Sequence, residues 1–176
     1  EWSNLTTGAW CYYNNDPTKP RFYNWYAVMG MHDTDPDTPN KEFAPDGWHV
    51  PSDAEWTTLE NHLIANSYNY DQTNTGNKIA KSMASNTGWV FSSTEIGAVS
   101  NDQSLNNSSE FNAFPEATRI NDGSFDSDGE GFDTIFWSST VADLGSWYRL
   151  LNYESSSLGR GGSNNQSGFS VRFVRD

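Results

Sequence analysis

The chain has 176 residues, 15% of them aromatic, and a formal net charge of −13. That length supports one domain with its own core and no staples. The acidity excludes nucleic-acid binding, whose affinity comes from Lys and Arg on phosphates, and attachment to an anionic bilayer. It suits a soluble role outside the cell and is compatible with calcium ligation. Cys11 stands alone, so no disulfide forms within the chain. No apolar run is long enough to insert in a membrane, and no signal peptide is recognisable.

Residues 2–28 carry a dense aromatic series, interrupted by the turn signal of Asn14, Asn15, Asp16 and Pro17. With eight Trp and few aliphatic residues, the core is expected to rest on rings whose polar edges need partners. YNWYAV at 23–28 reads as a strand or a short helix. The polar, proline-rich stretch that follows must be loop. It leads to GWHVPSDAEWTTLENHLI at 47–64, the best-defined element. Trp48 and Val50 belong to a short strand. Ser52 can cap a helix, and Glu55 can reach back to the Ser52 amide in a capping box. Asp53 and Glu55 add negative charge at the positive end of the dipole. Trp56, Leu59, Leu63 and Ile64 share one face, and Asn66 with Ser67 marks the stop.

Residues 78–83 read as a helical turn or a strand. Trp89, Val90 and Phe91 read as buried, and 92–109 as polar and irregular. Phe111, Phe114 and Pro115 are expected to return to the core. Asn121, Asp122 and Gly123 give the best hairpin signal, and the acidic loop DSDGEGFD follows. Strands are expected at 135–138, 147–153 and 169–174. In the second, Trp147, Arg149, Leu151 and Tyr153 face one way and Tyr148, Leu150 and Asn152 the other. The connection at 154–168 reads as a long polar loop, so this half offers a platform for binding. The fold class is α+β, with small antiparallel sheets and much ordered loop. The chain opens at Glu1 and closes directly after a strand-like run, as expected of one domain, residues 1–176, within a longer surface protein.

Four stretches carry a resemblance: WCYYNND at 10–16, YNWYAV at 23–28, GWHVPSDAEWTTLE at 47–60 and GFSVR at 168–172. With FNAFP at 111–115, FWSS at 136–139 and WYR at 147–149 between them, the chain resembles the Fibrobacter succinogenes major paralogous domain family. That family is similar to the formylglycine-generating-enzyme branch of the C-type lectin-like fold. The resemblance implies termini close together, a small antiparallel sheet and a capped helix. The half from 136 onward also resembles the variable region of retroelement-diversified binding proteins, whose loops and strand faces form the ligand surface. Two departures stand out. Phe173 occupies the place where the family commonly has a Cys, and Thr75, Gly76, Asn77 and Lys78 replace a frequent Gly-Gly-Lys run.

Chemistry narrows the function. One Cys cannot supply the thiol pair of the formylglycine-generating branch, so Cys11 reads as a small buried residue. His32, His49 and His62 fall at no ligand spacing, and no G-x-S-x-G elbow is present. Calcium is a candidate cofactor, with Asp33, Asp35 and Asp37 as one ligand set and Asp126, Asp128, Glu130 and Asp133 as another. Neither follows the EF-hand pattern. Tyr148, Asn152, Tyr153, Glu154, Arg160, Asn164 and Asn165 are the candidate ligand-binding residues, since such aromatic, amide and charged side chains suit glycans and peptides. Trp147 and Arg149 fall in the same cluster, where Trp147 reads as scaffold and Arg149 as either its stacking partner or a binding residue. The expectation is a non-catalytic surface module for adhesion to a glycan or exposed peptide. The rivals are a divergent polysaccharide-acting enzyme with an acidic pair and a structural spacer of a large adhesin.

Overall fold

A computed structural model of the chain describes residues 1–91 and 94–176; Ser92 and Ser93, at the head of the polar stretch, lie outside the described residues. Strand β1 (Trp10–Tyr12) pairs antiparallel with β2 (Arg21–Tyr23), placing Trp10 opposite Tyr23 and Tyr12 opposite Arg21. Alternation sends Cys11 and Phe22 inward, where they pack with Trp2, Tyr13 and Ala117. The ambiguous 23–28 stretch is both things in turn: β2 ends at Tyr23 and α1 (Trp25–Val28) begins after Asn24. The Asn24 carboxamide is fully buried and accepts from the amides of Ala9 and Ala27 while donating to the Thr7 carbonyl. One side chain thus caps the helical turn and ties it to the N-terminal segment.

Residues 31–47 carry no helix or strand. After β3 (Trp48–His49), α2 (Asp53–Ala65) forms with the expected capping box. The Ser52 hydroxyl accepts from the Glu55 amide at 3.2 Å, and the Glu55 carboxylate accepts from the Ser52 amide at 2.8 Å. Trp56 and Leu63 are buried and Leu59 and Ile64 partly so, against Ile79, Phe136 and Leu151. Each large side chain buried there contributes about 1.5–3 kcal/mol. The 78–83 stretch resolves as α3 (Ala80–Met83). Its Lys81 is buried, and the ammonium donates to the carbonyls of Ala98, Asn101 and Asp102, drawing that loop onto the core.

The main sheet is β4 (Asp133–Ala142), β5 (Gly145–Asn152) and β6 (Gly159–Ser163), all antiparallel in that order. Phe136 on one face packs with Trp56 under α2. Trp137, next in sequence, faces the other way and packs with Trp25, Val28, Val50 and Phe169. Indole N–H groups at Trp25 and Trp137 find the carbonyls of Ser138 and Tyr23, the partners a ring-based core requires. The last pair, β7 (Val174–Arg175) with β3, brings the end of the chain beside α2.

Four expectations are corrected. The 154–168 connection is not all loop, because β6 lies within it. The 169–174 run is not one strand: Phe169 bridges to Tyr23 and Ser170 to Phe136, and only Val174 and Arg175 form a regular pair. A chain passing between three partners cannot keep one ladder. Phe91 is 76% exposed and Phe114 43% exposed, although both were expected to be buried. Hydrophobicity alone does not say which rings in a ring-rich chain the core has room for.

Candidate functional site

Arg160, read as a loop cation, sits in β6 directly opposite Arg149. Both converge on Asp53, the first residue of α2. Arg149 donates to its carboxylate at 2.6 Å, and Arg160 donates twice, at 2.9 and 2.8 Å. Arg160 also lies over the Trp147 ring, 3.4 Å from its centre. Arg149 is 0% exposed and further donates to the Asp53 carbonyl and the Thr57 hydroxyl. Arg160 chiefly, and then Arg149, hold the Asp53 carboxyl below its usual range, while burial pulls the other way. This knot clamps the helix N-terminus to the sheet, so the guanidinium of Arg160 is already engaged.

The other predicted residues divide. Tyr148 packs edge-on against Phe169 at the rim of the core. Asn152 donates to Asp133 at 2.7 Å and accepts from the Glu154 amide, closing the turn after β5. The Tyr153 ring stands edge-on against Phe132 and packs on the main core. Glu154 is exposed. Asn164 and Asn165 alone enter an open hollow of about 570 Å³, which Tyr26, Asn121, Leu144 and Gln166 also line.

That hollow has a fixed rim. The Asn165 carbonyl accepts from the Trp25 amide, and its side-chain oxygen accepts from the Ser146 hydroxyl at 2.8 Å. Asn164 accepts from the Gln166 amide, Gln166 donates to the Leu5 carbonyl, and Trp2 donates to the Gln166 carbonyl. Gly145 starts β5 at φ 92°, and a Cβ there would stand 1.9 Å from the Ser163 carbonyl oxygen. Only glycine lets the Asp143–Leu144 hairpin tip lie so close to β6. The tip leaves Leu144 86% exposed beside the amides. Among the described residues, the NH2 groups of Asn164 and Asn165 donate to nothing within the chain. Sequence reading missed Tyr26, Leu144 and Gln166. It took Asn121 for a turn residue, which it also is: Ile120 and Ser124 close that hairpin.

Among the described residues, no group of three or more His, Cys, Asp or Glu gathers where one ion could sit. Asp33 accepts from the Asp35 amide and Asp35 from the Asp37 amide, so the first set spends oxygens on its own turns. In the second, Asp126 accepts from the Asp128 amide, Glu130 pairs with Lys19 at 2.7 Å, and Asp133 accepts from Asn152. Burial pushes the Asp133 carboxyl up, and the charges of Asp126 and Asp128 push the same way. Each histidine has its own partners. His49 bridges Glu55 and Asp176, at 2.8 and 2.6 Å, and this lifts its pKa, chiefly through Asp176. His62 meets Asn66 in the last turn of α2, and His32 lies beside Asp33. Cys11 is a buried free thiol that burial pushes up, against the pull of Arg119.

No helix of the described residues is long and apolar enough to cross a membrane. No curated protein and no solved structure matches the chain. The pattern of the Fibrobacter succinogenes major domain matches residues 1–175, and the chain belongs to that family.

Proposed function

We propose that this domain is a non-catalytic recognition module of C-type lectin-like fold, acting at a cell surface as part of a larger protein. It binds a polar ligand, a glycan or an exposed peptide, in the hollow formed by the β4–β5 hairpin tip and residues 163–166. The observation that carries this reading is the hollow itself. Its rim is pinned on three sides, while the amide donors of Asn164 and Asn165 and the apolar surface of Leu144 are left for something outside the chain. A preorganised rim lowers the ordering cost of binding, and unsatisfied amides beside an apolar contact suit a hydroxyl-rich or peptide ligand.

The test is a glycan-and-peptide array probed with the wild-type domain and with the Leu144→Ala, Asn164→Ala, Asn165→Ala triple variant. Hits lost in the variant support the hollow; hits retained in full place recognition elsewhere. Repeating the array with calcium and with chelator separates direct from ion-dependent binding.

A further inference from the structure

On the far side of β1 and β2 from their buried face, a second cleft of about 560 Å³ is lined by Tyr23, Phe111, Phe114, Glu116, Thr134 and Arg172, with Arg21 at its edge. Glu116 and Arg172 are both partly buried and line the same space, yet they form no ion pair with each other. Arg172 is held in place. It lies across Phe111 and Phe136 and donates through one terminal nitrogen to the carbonyls of Phe111 and Asn112. Among the described residues, Glu116 has no hydrogen-bond partner at all. Burial pushes its carboxyl up, with the Arg172 charge pulling against it and the Glu130 charge adding to the rise. A partly buried acid with no internal hydrogen-bond partner is unfavourable, and such groups concentrate where a ligand completes them.

The backbone around it is strained in the same sense. Ala117, buried directly after Glu116, is held at φ 64°, and Glu110 and Asn112 are also in the left-handed region. For an alanine this conformation is unfavourable, and outliers of this kind cluster at ligand sites.

The cleft continues onto the outward face of β1 and β2. Register puts Trp10, Tyr12, Arg21 and Tyr23 on that one face. Trp10 is 50% exposed, with the Arg21 guanidinium 4.3 Å from its ring centre. Arg21 and Tyr23 line the cleft as well, so cleft and strip are continuous. Within a chain of net charge −13, the cleft itself holds two arginines and two glutamates, Glu110 being the second. That local balance suits an uncharged ligand.

We infer that this cleft and strip form a second binding site, and that its ligand is a neutral carbohydrate chain. A vicinal diol gives an O–H to the Glu116 carboxylate and accepts from the Arg172 guanidinium, satisfying two groups that do not satisfy each other. The exposed parts of the Phe114 and Trp10 rings take the apolar C–H surfaces of successive sugar units. A zwitterionic peptide would meet the two charges but would leave the ring strip unused. The inference shares with the proposed function only the premise of recognition, and it shares no residue with the Asn164 and Asn165 hollow.

The test is calorimetric titration of the 176-residue chain with cello-, xylo-, manno- and chito-oligosaccharides, each as disaccharide and hexasaccharide. Wild type is expected to bind at least one hexasaccharide. Glu116→Gln, which keeps the shape, should weaken both lengths by about tenfold or more while leaving the melting temperature equal or higher. Trp10→Ala should weaken the hexasaccharide and spare the disaccharide. Failure of all four sugars to bind, or binding indifferent to both variants, overturns the inference. So does binding lost only in the Leu144, Asn164 and Asn165 variant, which would make the hollow the sugar site. A dipeptide panel bound in preference to the sugars also overturns it. Cleavage of a hexasaccharide by wild type but not by Glu116→Gln supports the site while overturning the non-catalytic reading.

Discussion

Arg160 and Asn164 are four residues apart on one crossing of the C-terminal half, yet they belong to opposite regimes. Arg160 is spent inside the molecule, doubly bonded to Asp53 and stacked on Trp147. Asn164 and Asn165 use their oxygens to fix a rim and keep their NH2 groups for the open hollow. A polar, exposed-looking residue is thus no sign of a binding site until its internal partners are known. The same crossing can lock the scaffold at one end and present a surface at the other.

The largest blow to the locked end is Asp53→Ala. It leaves the fully buried Arg149 without its counter-ion, which should cost about 3 kcal/mol by urea unfolding while leaving array binding of the folded protein unchanged. Removing the capping hydroxyl with Ser52→Ala should cost about 1 kcal/mol by the same measurement. Arg160→Ala should cost about 1 kcal/mol or less, because its pair is half in solvent. Retained ligand binding in that variant would confirm that Arg160 serves the fold. At the open end the order reverses: Leu144→Ala, at an 86% exposed hairpin tip, should weaken hollow binding strongly and change stability by under about 0.5 kcal/mol. A large stability loss there would erase the distinction between the two regions.

The smallest effect is the pH dependence of His49. Its folded pKa is raised by Asp176 and then Glu55. Its stabilisation is therefore fully present below the unfolded value, near about 6.5, and is lost as pH rises through the raised folded value. Glu55 behaves oppositely: its pKa is lowered, chiefly by the Ser52 amide, so its contribution is lost as pH falls through that lowered value. Melting curves of wild type and His49→Gln should differ most in mildly acidic buffer, above the Glu55 titration, and converge in alkaline buffer.

The legible parts of this molecule were local. Ser52 with Glu55 announced the start of α2, the spacing of Trp56, Leu59, Leu63 and Ile64 announced its buried face, and alternation announced the strand through Arg149 and Leu151. The site was less legible. Seven side chains were nominated for binding, and the fold gathers two of them in one hollow. It adds Tyr26 from α1 and Leu144 from a hairpin tip, which no motif connected to them. The aromatic series of the N-terminal segment did not say which rings face out, and register turns Trp10 and Tyr12 outward.

What the amino-acid order determined by itself was the α+β character, the capped helix, the family and the absence of an intrachain disulfide. These rest on interactions within a few residues, on periodicity or on composition. Tertiary structure alone decided which charges are consumed and which surfaces stay open. Arg160 meets a carboxylate 107 positions away, and among the described residues the Glu116 carboxylate accepts no hydrogen bond although Arg172 lines the same cleft. Pairing across such separations depends on where the whole backbone brings side chains to rest, and no local pattern encodes it.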